Sequence, residues 1–187
     1  MTHELLKVQV DVLLALVETH HKHEMSPRVL ASIGGGLGWD LGTLWELDGE
    51  VLVPRSQWRS RWLLASALEA ETARLRPARG RGLVGKVWER AEAMWSSDLA
   101  SEPEFSRAAS AREDGLRTGV LVPLVASGRV LGVLELFRRE ALAPASGVID
   151  VLALLGRALG TYLERVQSRG ELEAALRALD AELQDRE

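Results

Sequence analysis

Two β-hairpins written on either side of a helical middle constrain this chain more than any other feature of its sequence. Residues 41–47 alternate, with Leu41, Thr43, Trp45 and Leu47 on one face, and Asp48-Gly49 supplies a tight turn before a return strand over Val51–Trp58. A second pair, residues 116–125 and 130–137, folds across Ser127-Gly128. Between them, residues 60–75, Gly82–Arg90 (Leu83 and Val87 inward) and Phe105–Asp114 have helical character, with Met94–Ser96 as a brief strand and Gly115 closing the last helix. Strands on both sides of a helical middle predict an α+β fold, an antiparallel sheet covered by helices rather than a parallel βαβ arrangement.

Both ends of the chain carry helical patterns. Over residues 3–22, Leu5, Val8, Val12 and Leu16 form one apolar row and Leu6, Val10, Leu13 and Val17 a second, with Lys7, Asp11 and Glu18 on a polar stripe. Two adjacent rows make an apolar arc too wide for a helix resting on water, so this helix must pack on both sides. Ser26-Pro27 predicts an N-cap with proline at the first helical position, opening a shorter helix that stops near Gly34-Gly-Gly36. From Val148 onward, Leu152, Leu155, Leu159, Tyr162 and Val166 form a heptad seam, the pattern of a coiled coil or helical bundle. A second seam, Leu172, Leu176, Leu179 and Leu183, is out of register with the first, and Gly170 sits in the break. That break is either a kink or a phase change through which a small rotation passes to a downstream partner.

A length of 187 residues, 47% of them hydrophobic, suits one domain with helical attachments: residues 1–24 as an N-terminal dimerisation helix, 25–165 as the domain, and 166–187 as a C-terminal helical extension. The formal charge of −4 is dispersed, which argues against nucleic acid as a partner. With no cysteine, disulfides, thiolate zinc sites and cysteine chemistry are excluded. The apolar run Leu5–Val17 is broken by Lys7, Gln9 and Asp11 and falls short of the roughly 20 residues a bilayer requires. Together with the lack of a signal-peptide cleavage pattern, this predicts a soluble cytoplasmic chain without membrane contact.

No catalytic constellation is legible. The histidines, His3, His20, His21 and His23, lie in or beside the first helix, outside the predicted core, where solvated helix-end positions explain them. That leaves no histidine base, nucleophile triad or haem ligand in the core segment, and the acidic residues scatter onto helix faces. The Gly34–Gly38 run follows a helix and precedes a strand, the reverse of a phosphate-binding loop. Gly82-x-x-Gly85 stands at a helix start, where backbone N–H groups face an anion. Asp98, in a loop, either accepts a hydrogen bond from a ligand or caps a turn; Arg107 either clamps an anion or pairs with Glu104 or Asp114. Glu135 interrupts an apolar strand and must be paired, exposed at an edge or protonated in a dry site; a pair with Arg117 on the neighbouring strand is the plain choice, and a ligand contact the alternative. Tryptophan is abundant, six against two Phe and one Tyr; Trp45, Trp58, Trp88 and Trp95 serve either as core or as a wall for a flat ligand.

Taken in order, Gly82-Leu-Val-Gly-Lys-Val-Trp88, Trp95-x-x-Asp98-Leu99, Phe105-x-Arg107 and Gly132-Val-Leu-Glu135 resemble the GAF domains of bacterial sensor histidine kinases and related regulators. The resemblance covers roughly residues 25–165. It implies a central antiparallel sheet of five or six strands, with N- and C-terminal helices on one face and short helices and loops over a ligand cavity on the other. Trp58, Trp95, Asp98, Leu99, Phe105 and Arg107 are the ligand-binding residues it implies. Chromophore attachment to bilin-binding GAF domains and the chemistry of GAF-type methionine sulfoxide reductases both require cysteine, which is absent here; the Asn-Lys…Phe…Asp-Glu set of cyclic-nucleotide GAF domains is not found. The expected role is a non-enzymatic sensory module with an unassigned small ligand or partner. It would relay its state through a homodimeric helical bundle to a histidine kinase or other output domain of a two-component system; the alternative is a ligand-free dimerisation scaffold.

Overall fold

The structure, a computed structural model, describes residues 2–18, 22–64 and 66–184. Two helices, α1 (Thr2–Glu18) and α2 (Lys22–Leu37), lead into the first hairpin, β1 (Leu41–Asp48) and β2 (Val51–Arg59). The middle contributes α3 (Ala67–Thr72), α4 (Gly82–Arg90), β3 (Met94–Ser96), a 3-10 turn over Leu99–Ser101 and α5 (Ala108–Glu113). The second hairpin, β4 (Thr118–Ala126) and β5 (Arg129–Arg138), precedes the long helix α6 (Ser146–Gln184). All strand pairings are antiparallel, in the order β2-β1-β5-β4-β3, so the two hairpins meet along β1 and β5 with Leu41 opposite Phe137 and Thr43 opposite Glu135. The fold expected from the sequence is the fold observed.

The sheet separates two apolar cores. On one side, α1, α2 and α6 cover Leu44, Val120, Val122, Leu124, Leu134 and Leu136. On the other, the short helices cover Leu41, Trp45, Leu121, Val133 and Phe137. The period of two along β5 drives this division: Leu134 and Leu136 face the long helices, and Val133 and Phe137 the short ones. Glu135 has the odd parity and so enters the second core.

Helix α2 departs from its predicted limits. It begins before Ser26-Pro27, with Pro27 inside it, and continues through Gly34-Gly-Gly36 to Leu37. The glycines answer to packing rather than termination. A Cβ at Gly34 would stand 2.1 Å from the Trp58 ring, and one at Gly36 2.3 Å from Val8 of α1. The stop comes at Gly38, whose φ of +71° suits glycine, and the Trp39 N–H closes the turn onto the Gly34 carbonyl at 2.8 Å.

The helix expected over 60–75 shrinks to α3. Ser60 turns back to donate to the Asp40 carbonyl at 2.8 Å, and Leu63 donates to the Ser60 carbonyl at 3.0 Å. The start of α3 is set by Ser66, which accepts from Glu69 N–H at 2.9 Å, and by Asp114, which accepts from Ala67 and Leu68 N–H at 2.9 Å each.

The seam Leu152, Leu155, Leu159 and Tyr162 is occupied within the chain itself: these side chains are buried in the core shared with β4. Gly156 and Gly160 let α6 lie directly on that strand; a Cβ on them would come within 2.6 Å of the Pro123 carbonyl oxygen and 2.5 Å of the Val125 carbonyl oxygen. Beyond this contact α6 runs unbroken through Gly170, with Leu172 and Leu176 exposed. Of the two α1 rows, Val8, Val12 and Leu16 are buried, whereas Leu6, Val10, Leu13 and Val17 are exposed. His20 and His21 lie outside the described residues, as do the side chains of His23, Leu179 and Leu183.

Candidate functional site

Glu135 lies wholly buried on the short-helix face of the sheet, yet its partner is not Arg117. Strand register puts Leu121 opposite Glu135, whereas Arg117 precedes β4 and its N–H donates to the Arg138 carbonyl at 2.9 Å. The charge comes instead from Arg107, just ahead of α5, which is 2% exposed. Arg107 donates from Nη2 to Glu135 Oε1 at 2.5 Å and from Nη1 to Glu135 Oε2 at 3.1 Å, and Nη1 also donates to Thr72 Oγ1 at 2.5 Å. Trp45 Nε1 donates to Glu135 Oε2 at 3.1 Å. The rings of Trp45, Phe105 and Phe137 stand 5.1–5.8 Å from the guanidinium carbon. A buried charge is tolerated only when paired and hydrogen-bonded, and this network provides both. The surface pairing of Arg107 with Glu104 or Asp114 is therefore not formed: Glu104 pairs with Lys86, and Asp114 caps α3.

Five of the six residues implied by the resemblance divide between the two sides of the sheet, and Asp98 stands at the surface. Leu99, Phe105 and Arg107 converge on the short-helix side, where Leu99 and Phe137 crowd the Cβ position of Gly119. Trp58 and Trp95 pack on the long-helix side, Trp58 against Gly34 and Trp95 edge-on to Trp39 with centroids 5.8 Å apart. Asp98 is exposed at the start of the 3-10 turn, where its side chain makes no capping bond to the backbone and instead accepts from Ser101 Oγ at 2.7 Å. Trp45 and Glu135 belong to the polar core and were separable from ordinary strand residues in the sequence only by Glu135 breaking an apolar run.

At the mouth of this core lies a pocket of about 570 Å³ between the start of α4 and the segment Glu104–Arg107. Arg81 supplies positive charge, Lys86 lines the pocket paired with Glu104, and Leu83, Val84 and Phe105 form the apolar wall. The α4 N-terminus carries no side-chain cap, so its first N–H groups add to a field that favours an anion. Arg107 reaches the pocket, but both of its terminal nitrogens are bonded to Glu135 or Thr72, and a ligand carboxylate must compete with Glu135 for them. Among the described residues, no cluster of three His, Cys, Asp or Glu side chains could hold a metal.

A sheet with the terminal helices on one face and short helices over a polar core on the other is the architecture of a small regulatory α+β domain. The sequence model of the GAF domain matches residues 19–164, and the chain belongs to that family, whose members are generally sensory and regulatory modules. Solved structures agree in fold. The GAF domain of a phosphoenolpyruvate-protein phosphotransferase (ptsP) from Coxiella burnetii is 19% identical, with a TM-score of 0.77, covering 90% of this chain and 98% of that one. The free methionine-R-sulfoxide reductase of Neisseria meningitidis, solved with its substrate, is 17% identical, with a TM-score of 0.72 and coverage of 88% and 91%. A domain of a putative two-component sensor histidine kinase protein from Sinorhizobium meliloti 1021 is 18% identical, with a TM-score of 0.64 and coverage of 83% and 99%. No curated protein matches the chain.

Proposed function

We propose that this chain is a cytoplasmic, non-enzymatic GAF input module that forms a homodimer through its helical layer and relays its state along α6 to a histidine kinase or similar output domain. The carrying observation is the outer row of α1: Leu6, Val10, Leu13, Leu14 and Val17 are 47–75% exposed, a continuous apolar stripe that a second copy would bury. Exposed Leu172 and Leu176 extend the apolar surface along α6. The likeness to the Sinorhizobium sensor-kinase domain agrees with this role. Helix α6 is long and apolar enough to cross a bilayer by length and composition, but its buried row lies on β4, which favours a soluble setting. The input is a small anionic ligand at the α4 pocket, drawn by Arg81 and the helix N-terminus.

Light scattering of the purified chain tests the dimer. The expected mass is twice the 20.5 kDa chain mass, falling to that of one chain in the Val10→Lys/Leu13→Lys variant with its melting temperature retained. A monomeric wild type would end the relay reading. A second reading, a ligand-free dimerisation scaffold, draws support from the filled sheet face, where the side chains of Trp45, Phe105, Phe137 and the Arg107–Glu135 pair are all buried over the strands. Native mass spectrometry separates the two: an extra mass lost on denaturation supports the sensor, and a bare dimer that takes up no anion supports the scaffold.

A further inference from the structure

The opposite side of the sheet holds a larger cleft, of about 920 Å³, where the C-terminal end of α2 meets the end of β2 and the loop after it. It is separate from the α4 pocket and shares no residue with it. Three of the six tryptophans, Trp39, Trp58 and Trp62, line it, together with the arginines at positions 59, 61, 138 and 139.

Four features of this cleft exceed what the fold requires. Trp62 is 66% exposed, although its loop is held in place by the Ser60 bond to Asp40, the Leu63 turn, and burial of Leu63 beside it. The Arg61 guanidinium stacks 4.5 Å from the Trp62 ring centre and, among the described residues, has no carboxylate partner, unlike Arg59 with Glu69, Arg138 with Glu140 and Arg139 with Asp40. Gly35 faces the cleft with nothing within 4 Å of its Cβ position, so no close approach explains glycine inside this helix; a larger residue there would intrude on the opening. On the inner wall, Trp39 is 3% exposed, and its buried indole Nε1 has no hydrogen-bond acceptor among the described residues. Buried donors without acceptors are costly and rare.

We propose that this cleft binds a small planar aromatic acid. Its ring lies along Trp62 and against Trp58, its acid group meets Arg61, and an acceptor at its inner end satisfies Trp39 Nε1. The cleft has ample room for such a molecule, tryptophan faces favour a flat π-system, and an unpaired guanidinium favours a carboxylate, which it binds at two points. This assignment goes beyond the regulatory reading above and does not depend on the α4 pocket. Because α2 floors the cleft and seats Gly36 against Val8 of α1, an occupant here would stand one helix away from the exposed α1 row.

Calorimetric titration of the full chain with 2-naphthoate, and with its uncharged analogue 2-naphthamide, tests the site. The expected result is saturable binding of one 2-naphthoate per chain, at least tenfold tighter than the amide. Trp62→Ala and Arg61→Glu, both at exposed positions that leave the fold intact, are each expected to weaken it at least tenfold, and Gly35→Leu to abolish it. Gly35→Leu is read alongside a circular-dichroism melt to confirm folding. The proposal is overturned by absence of saturable binding at millimolar 2-naphthoate, by equal affinity for the amide, or by undiminished binding in both the Trp62 and Arg61 variants. A loss of binding on Arg81→Glu would move the site to the α4 pocket and overturn it equally.

Discussion

Trp45 and Arg107 donate to the same oxygen of Glu135, each at 3.1 Å, although they come from a strand and from the loop before a helix. One carboxylate thus ties the middle of the sheet to the short-helix layer, and Thr72 joins α3 to the same guanidinium. Removing one member leaves an uncompensated buried charge, and such losses run to about 3–5 kcal/mol. Arg107→Met and Glu135→Leu, made singly, are therefore expected to lower the urea midpoint severely. The double variant is expected to regain most of the loss, because two apolar groups of similar volume leave no charge stranded. A double variant as unstable as the sum of the singles would contradict the pairing.

Glycines in α6 divide by what they touch. Gly160→Ala pushes a Cβ into the Val125 backbone, which cannot yield as a side chain can, so a loss of about 1–3 kcal/mol is expected. At Gly170 nothing lies within 4 Å, and alanine there is expected to stabilise by up to about 1 kcal/mol through helix propensity. Thermal melts of the two variants should move in opposite directions.

Most of the fold was legible because alternation and turn residues are local signals. Asp48-Gly49 and Ser127-Gly128 marked both hairpins, and alternation placed Leu41, Trp45 and Leu47 on one face of β1. What escaped depended on contacts distant in sequence. The apolar seam of α6 reads the same whether it faces a sheet of its own chain or a second helix, and only Gly156 and Gly160, flush on β4, distinguish the two. Likewise the partner of Glu135 could not be read from strand adjacency, because Arg107 reaches it from a segment outside the sheet. The implied site was legible in part: Leu99, Phe105 and Arg107 meet on one side, whereas Trp58 and Trp95 took the side of the close-packed glycine helix and of Trp39.

Tyr162 offers a spectroscopic probe because it is the only tyrosine in the sequence. Burial pushes its hydroxyl above the ordinary value of 10.0; Arg165 opposes this and Glu46 adds to it. The folded state therefore keeps the proton to a higher pH than the unfolded chain does. The resulting stabilisation is complete below about pH 10 and is lost as pH rises through the folded pKa. Ultraviolet titration of tyrosinate is expected to show a midpoint above 10 in the native protein, returning to the ordinary value in concentrated urea. A native midpoint at or below 10 would place the hydroxyl in water.

Asp114 caps a helix far from it in sequence, accepting from Ser66 Oγ at 2.6 Å and from the N–H groups of Ala67 and Leu68 at 2.9 Å each. With only six residues, α3 has little stability of its own, so its first turn depends on these bonds. Loss of a capping side chain costs about 0.5–2 kcal/mol, and Asp114→Ala also strands the Ser66 hydroxyl. The expected result is a fall of that size in global stability, together with faster amide exchange at residues 67–72. Since Thr72 of α3 bonds Arg107, the disturbance should extend to the Trp45 indole N–H, whose resonance reports the buried network directly. Faster exchange confined to α3, with the Trp45 resonance unmoved, would show that the cap and the buried pair act independently.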